Sequence, residues 1–241
     1  EAWKKDNAQQ IKAGIAKKDR AKRPKPSVDY RSKTQLGAKL IIDFKKSFPQ
    51  IKIQAVLAAA LYGSKSFYNE VPTDIKQTIS HLKKDQCLIY QGKKYTVESF
   101  FQTVYPPIES TVTIRGGETK KIMYRAIRVH VNAHGCKRFV IAIKYEEQSA
   151  YRYLVASDLS WRGQDIANAY TLRWLVEVFL QDTKANGGWF KMAKQQGIEG
   201  SEKPLTLSLL LDHALLSHPE QQALIRSKLP AYTVGSLRVL I

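Results

Sequence analysis

Apolar residues recur along this chain at two spacings. In "TQLGAKLIIDFKKSFP", Leu36, Leu40 and Phe44 fall four residues apart, which predicts a helix with one apolar face, followed by Pro49. "IKIQAVLAAALYG" alternates Ile51, Ile53, Ala55 and Leu57, which predicts a strand stopping at Ala58-Ala59-Ala60. Tyr62-Gly63 then leads into a short helix broken at Pro72. "IKQTISHL" reads as another strand, and "YTVESFFQTVYPP" as a short helix stopped by two prolines. A meander follows: "STVTIR", a Gly116-Gly117 turn, "KKIMYRAIRVHV", the turn "NAHG", "KRFVIAIKY" and "YRYLVAS". After Ser157-Asp158 helical spacing returns. Ser160 is the expected N-cap, "GQDIANAYTLRWLVEVFLQDTKA" the helix, and Asn186-Gly187-Gly188 its stop. "KPLTLSLLLDHALL" and "PEQQALIRSKL" are helical as well.

A helix–strand–helix order precedes a mainly β stretch, and helices follow it. That order predicts an α/β (α+β) fold: a first core part at 34–74, a mainly antiparallel β insertion at 75–150, a second core part at 151–190, and C-terminal helices at 191–241. Residues 1–33 stand apart. They hold eleven Lys and Arg against four Asp and Glu, are punctuated by proline and contain few core residues, so they predict a mobile or wrapping basic arm.

Charge narrows the partner. Thirty-nine Lys and Arg against twenty-one Asp and Glu give a net charge of +18, which points to a polyanion and first to nucleic acid. Two cysteines in 241 residues fit a reducing cytoplasm better than a disulfide framework. No signal peptide is evident, and the longest apolar run, Leu205 to Leu216, is too short and interrupted to span a bilayer. His130, His134 and Cys136 resemble a metal cluster in residue type, but "NAHG" is a turn and no fourth ligand is apparent, so structural histidines are expected.

One helix carries the candidate chemistry. In "YTLRWLVEVFLQDTK", Tyr170, Arg173, Glu177 and Lys184 fall within roughly 60° of arc on a regular helix. Leu172, Leu175, Val176 and Phe179 fall on the opposite side, the expected packed face. Spacing alone favours a solvent-exposed face with an Arg173–Glu177 ion pair. Against that stand the narrowness of the stripe and its aromatic member, which is suited to stacking on a base. A carboxylate among cations suits phosphodiester chemistry, with Glu177 on a divalent ion and Arg173 and Lys184 on phosphates.

Tyr170-x2-Arg173-x3-Glu177-x6-Lys184 resembles the Y-R-E-K signature of bacterial insertion-sequence transposases of the DDE class. The neighbouring "RYLVASDLSW", "RW" and "MAKQQGIEGS" agree with it, and the resemblance runs from about residue 35 to 237. It implies an RNase H-like fold, a mixed sheet flanked by helices with a β insertion between the second Asp and the Glu. It also implies three acids holding two Mg²⁺ ions for strand cleavage and transfer at element ends. Glu177 matches the third acid. Tyr170 and Arg173 match the residues that handle the terminal phosphate and a displaced base. Lys184 matches a backbone contact, and Trp174 matches a core residue beneath them. The implied partners are double-stranded DNA with terminal inverted repeats and a second copy of the chain, in a bacterial cytoplasm at the nucleoid.

The pattern breaks at the second acid. Where the family has wording such as "LADALYG", this chain has "LAAALYG", and Ala59 stands at the Asp position. The first Asp belongs on a strand before residue 1. Asp43 sits in a helix and is a poor substitute, and Asp158 comes in the wrong order and reads as a helix-entry residue. A lone Glu177 is expected to bind Mg²⁺ weakly or not at all, since the ion needs several oxygen ligands. The expectation is therefore an N-terminally truncated transposase domain that is catalytically dead as written. The alternatives are a non-catalytic DNA-binding remnant or regulator, and an unrelated basic nucleoid- or ribosome-associated protein.

Overall fold

The computed structural model describes residues 2–22, 31–113, 119–181, 183–184 and 198–220. The elements in chain order are α1 (Ala2–Lys12), α2 (Lys33–Ser47), β1 (Ala55–Ala58), α3 (Lys65–Glu70), β2 (Gln77–His81), β3 (Cys87–Tyr90), β4 (Lys93–Thr96), α4 (Val97–Ser99), β5 (Ile108–Thr113), β6 (Thr119–Val131), β7 (Cys136–Tyr145), β8 (Arg152–Ala156), α5 (Gly163–Thr171), α6 (Trp174–Gln181) and α7 (Ile198–Leu216).

Alternation along the inner strands builds the core. On β7, Phe139, Ile141 and Ile143 pack on one face of the sheet, and Val140 and Ala142 on the other. β8 repeats this with Leu154 and Ala156 against Tyr153 and Val155. Strands buried on both faces need cover on both. Phe67 and Tyr68 of α3, Ala38 of α2, and Val97, Phe100 and Phe101 at and after α4 supply it on one side. Ile166, Ala167 and Tyr170 of α5 supply it on the other.

The strands form one eight-stranded sheet in the order β1-β2-β8-β7-β6-β3-β4, with β5 pairing on β6. β1 and β2 are parallel, and the remaining ladders are antiparallel. The mixed sheet flanked by helices is the architecture the sequence predicts. It is consistent with an RNase H-like arrangement without being specific to it. β8 lies between β2 and β7, so the 75–150 and 151–190 stretches share this sheet. The Gly116-Gly117 turn and the Asn186–Gly188 stop lie outside the described residues.

Several elements differ from the sequence expectation. The strand expected from Ile51 begins only at Ala55, and Ile51 is exposed. Tyr95 and Thr96 close the hairpin strand β4, so the helical stretch before the two prolines starts at Val97. In the arm, α1 folds as a helix, and Trp3 Nε1 donates to the Ala21 carbonyl at 2.8 Å. The expected face of α2 is turned outward: Leu36, Leu40 and Phe44 are exposed, while Ala38 is buried. This helix docks through Ala38 and Ile41, and a Cβ on Gly37 would stand 2.8 Å from the Tyr62 ring. A Ser32–Gln35 capping box fixes its start.

Among the described residues, no helix is long and apolar enough to cross a membrane.

Candidate nucleic-acid interface

The entry to α5 is set by buried hydrogen bonds. Gln77 on β2 is fully buried, and its Oε1 accepts from the Ser157 amide at 2.8 Å, the Ser157 hydroxyl at 3.0 Å and the Asp158 amide at 2.9 Å. Arg128 on β6 donates Nε to the Leu159 carbonyl at 2.7 Å and Nη2 to that of Trp161 at 3.3 Å. Asp158 accepts from the Ser160 amide at 2.8 Å, the helix-entry role expected of it. The helix itself starts at Gly163 as expected, but Ser160 is not its N-cap residue. Arg162 is the N-cap residue, without a side-chain cap, and it forks onto Asp165 at 2.8 and 2.9 Å.

The single helix expected from Gly163 onward is two. Leu172 and Arg173 form a tight turn in which Leu172 N–H reaches the Ala169 carbonyl and Arg173 N–H the Tyr170 carbonyl, both at 3.1 Å. Such three-residue spacing turns the chain by roughly 120° per residue instead of 100°. The faces come out reversed from the amphipathic expectation. Leu172, Val176 and Phe179 are exposed at 48%, 55% and 39%, while Tyr170 is 9% exposed. The side chains of Trp174 and Leu175 lie outside the described residues.

The polar stripe instead runs inward as a chain of contacts. The Tyr170 hydroxyl donates to the Ala58 carbonyl at 3.3 Å, at the C-terminal end of β1 and next to Ala59. His81 meets the Tyr170 ring edge-on, with centroids 5.2 Å apart. The Arg173 guanidinium lies 5.6 Å from the centre of the same ring, and its Nη1 donates to Glu177 Oε1 at 2.5 Å. The structure thus brings Tyr170, Arg173, Glu177 and the β1 end together. Ala59 is exposed there, and Lys184 is exposed after α6. The C-terminal ends of parallel strands are where open α/β sheets hold ligands.

Electrostatics follow from this packing. Burial, together with the Arg173 and Arg152 guanidinia, holds His81 below its ordinary value. Burial raises the Tyr170 phenol, opposed by the same two cations, so it stays a hydrogen-bond donor. The Nε of Arg173 and the Oε2 of Glu177 are buried without a hydrogen-bond partner among the described residues.

Beside Tyr170 lies a cavity of about 440 Å³, between the ends of β7 and β8 and the inner face of α5. Ile143, Leu154 and Tyr170 wall it, and Lys120, Arg152 and Arg173 bring positive charge to it. Its volume is within the range of about 300–1,000 Å³ usual for small-molecule sites. The sequence reading found Arg173 and missed Arg152, Lys120, Gln77 and His81.

Among the described residues, those at this site do not fit a two-ion centre. Glu177 gives one carboxylate oxygen to Arg173, and Ala59 has no side-chain oxygen to offer. The His130, His134 and Cys136 set is structural. His134 is 2% exposed, lies 3.3 Å through Nε2 from the Gly63 carbonyl and accepts Arg138 Nε on Nδ1 at 3.3 Å, which makes Nε2 the protonated nitrogen. Among the described residues no three His, Cys, Asp or Glu side chains group as metal ligands.

Neither a family model nor a curated protein matches this chain.

Proposed function

We propose that this chain is a DNA-binding form of an insertion-sequence transposase catalytic domain, retaining affinity for element ends and lacking strand cleavage. The observation that carries the reading is the inward chain of contacts from the end of β1 through Tyr170 and Arg173 to Glu177. It joins the signature residues to the position of the second acid, and it stands beside a cationic cavity on a chain of net charge +18. In this reading the cations hold phosphates and the cavity takes a base displaced near an element end. Glu177 serves as counter-charge to Arg173, and Mg²⁺ binds weakly, with no cleavage step.

The test is binding and cleavage on one duplex. Fluorescence anisotropy across a salt series should give a linear fall of log K with log salt, with a slope of about −0.9 per phosphate contacted. Removal of residues 1–32 should flatten that slope. The same protein with Mg²⁺ or Mn²⁺ should leave the duplex uncut. Salt-insensitive binding, or robust metal-dependent cleavage, overturns the proposal.

A further inference from the structure

We infer that α2 joins two copies of this chain, its outward apolar seam packing antiparallel on the same seam of the second copy. The resemblance implies a second copy but assigns no surface to it; α2 supplies one. The nucleic-acid reading is not needed for this pairing.

Leu36, Leu40 and Phe44 recur every four residues on the outward side of α2, and Phe48 continues the row with its ring 5.0 Å from that of Phe44. Among the described residues Leu40 is the most exposed large apolar side chain, at 69%. Ala38 and Ile41, on the other side, hold the helix to the core. From Leu36 to Phe44 the seam is about 12 Å long, and a continuous exposed apolar row marks an interaction surface. The charges beside it identify the occupant. Lys39 and Asp43 share one flank, roughly 100° and 60° round the helix from Leu40, and they pair with each other while staying about half exposed. A two-fold axis at Leu40 sets that residue against its own copy. It sets Leu36 against Phe44 of the second copy and Phe44 against its Leu36, the reciprocity a two-fold interface requires. The same reversal brings Lys39 to within about 3 Å, along the axis, of Asp43 of the second copy, and Asp43 of its Lys39. The flank is therefore its own electrostatic complement. A partner of single sign would be attracted at one of these residues and repelled at the other.

Sedimentation velocity of the full chain over a concentration series measures the association, without DNA and at about 0.15 M salt, where charges beyond about 8 Å are screened. A monomer–dimer equilibrium in the micromolar range is expected, as for other small interfaces. Leu40→Glu, at the centre of the seam, should weaken it at least about tenfold. Lys39→Glu and Asp43→Lys should each weaken it too, because each leaves a flank of one sign facing its own copy. An equimolar mixture of those two variants should form the mixed dimer, a rescue that an ion pair confined to one helix does not give. All three side chains are exposed, so circular dichroism should stay unchanged and shows that the variants are folded. A chain that stays monomeric to about 1 mM leaves the seam to some other occupant and overturns the inference. A dimer that survives Leu40→Glu, or charge variants whose mixture associates no better than either alone, overturns it as well. Failure to bind DNA would overturn the nucleic-acid reading and leave this pairing untouched.

Discussion

Replacing Glu177 by Gln separates two roles for this carboxylate. The pair with Arg173 has an N–O distance of 2.5 Å, with side chains 21% (Arg173) and 38% (Glu177) exposed. A charge-assisted hydrogen bond contributes about 1.5–3 kcal/mol. With the carboxylate more than a third exposed, solvent screening reduces that to about 1 kcal/mol. For a chain of this length the loss corresponds to a melting temperature lower by about 2–4 °C. Nucleic-acid binding should move the other way. An unopposed guanidinium gains a phosphate and releases one more counterion, steepening the salt slope by about 0.9. The gain in affinity should then be about 3.5 times larger near 50 mM salt than near 200 mM. Thermal denaturation and anisotropy on the same two proteins measure both effects. A Glu177→Gln protein with unchanged melting and unchanged slope refutes the counter-charge role. A loss of binding seen only with Mg²⁺ present would instead make Glu177 a metal ligand.

Two further outcomes test the packing that supports the site. His81 and His134 both titrate below their ordinary value, chiefly through burial. Between the folded value and about 6.5 the unfolded chain therefore binds more protons, so stability is complete above about pH 6.5 and falls on acidification below it. Urea midpoints at neutral and acidic pH, with NMR titration of both imidazoles, check this; a ring titrating at or above its ordinary value contradicts it. A Cβ on Gly63 would stand 2.3 Å from the His81 carbonyl, so Gly63→Ala should destabilise by about 1–3 kcal/mol. An unchanged melting temperature would mean that the turn after Ala59 does not press on β2.

The sequence disclosed elements better than it disclosed faces. "KRFVIAIKY" and "YRYLVAS" read as strands, and β7 and β8 form there, buried on both faces. Periodicity also locates α2 and α5. It misplaces their buried sides, because an apolar stripe shows where a helix prefers to pack, while small residues and long-range polar contacts decide where it does. Ala38 and Gly37 admit close approach and leave Leu36, Leu40 and Phe44 outside. The Gln77 contacts to Ser157 and Asp158 span about eighty positions and carry no local signature. The cavity was equally invisible, since Lys120, Arg152 and Tyr170 come from separate places in the chain.

Stability does not account for the inward set. A half-buried Tyr–Arg–Glu group gives up hydration, and well-packed apolar residues of similar size often stabilise such a site as well or better. Apolar residues are at hand one or two positions away, yet Leu172, Val176 and Phe179 lie outward while Tyr170 and Arg173 face the cavity. The set is also incompletely paired, with Arg173 Nε and Glu177 Oε2 both lacking partners. A structural network is favoured when every member is satisfied, and a half-satisfied one is less stable than an apolar core. Donors outnumber acceptors around the cavity, so it favours a ligand that is mainly an acceptor. With Ala59 at the neighbouring strand end, the remaining carboxylate acts on Arg173 before it can act on a metal ion. On the proposed reading, this pairing predicts binding without cleavage.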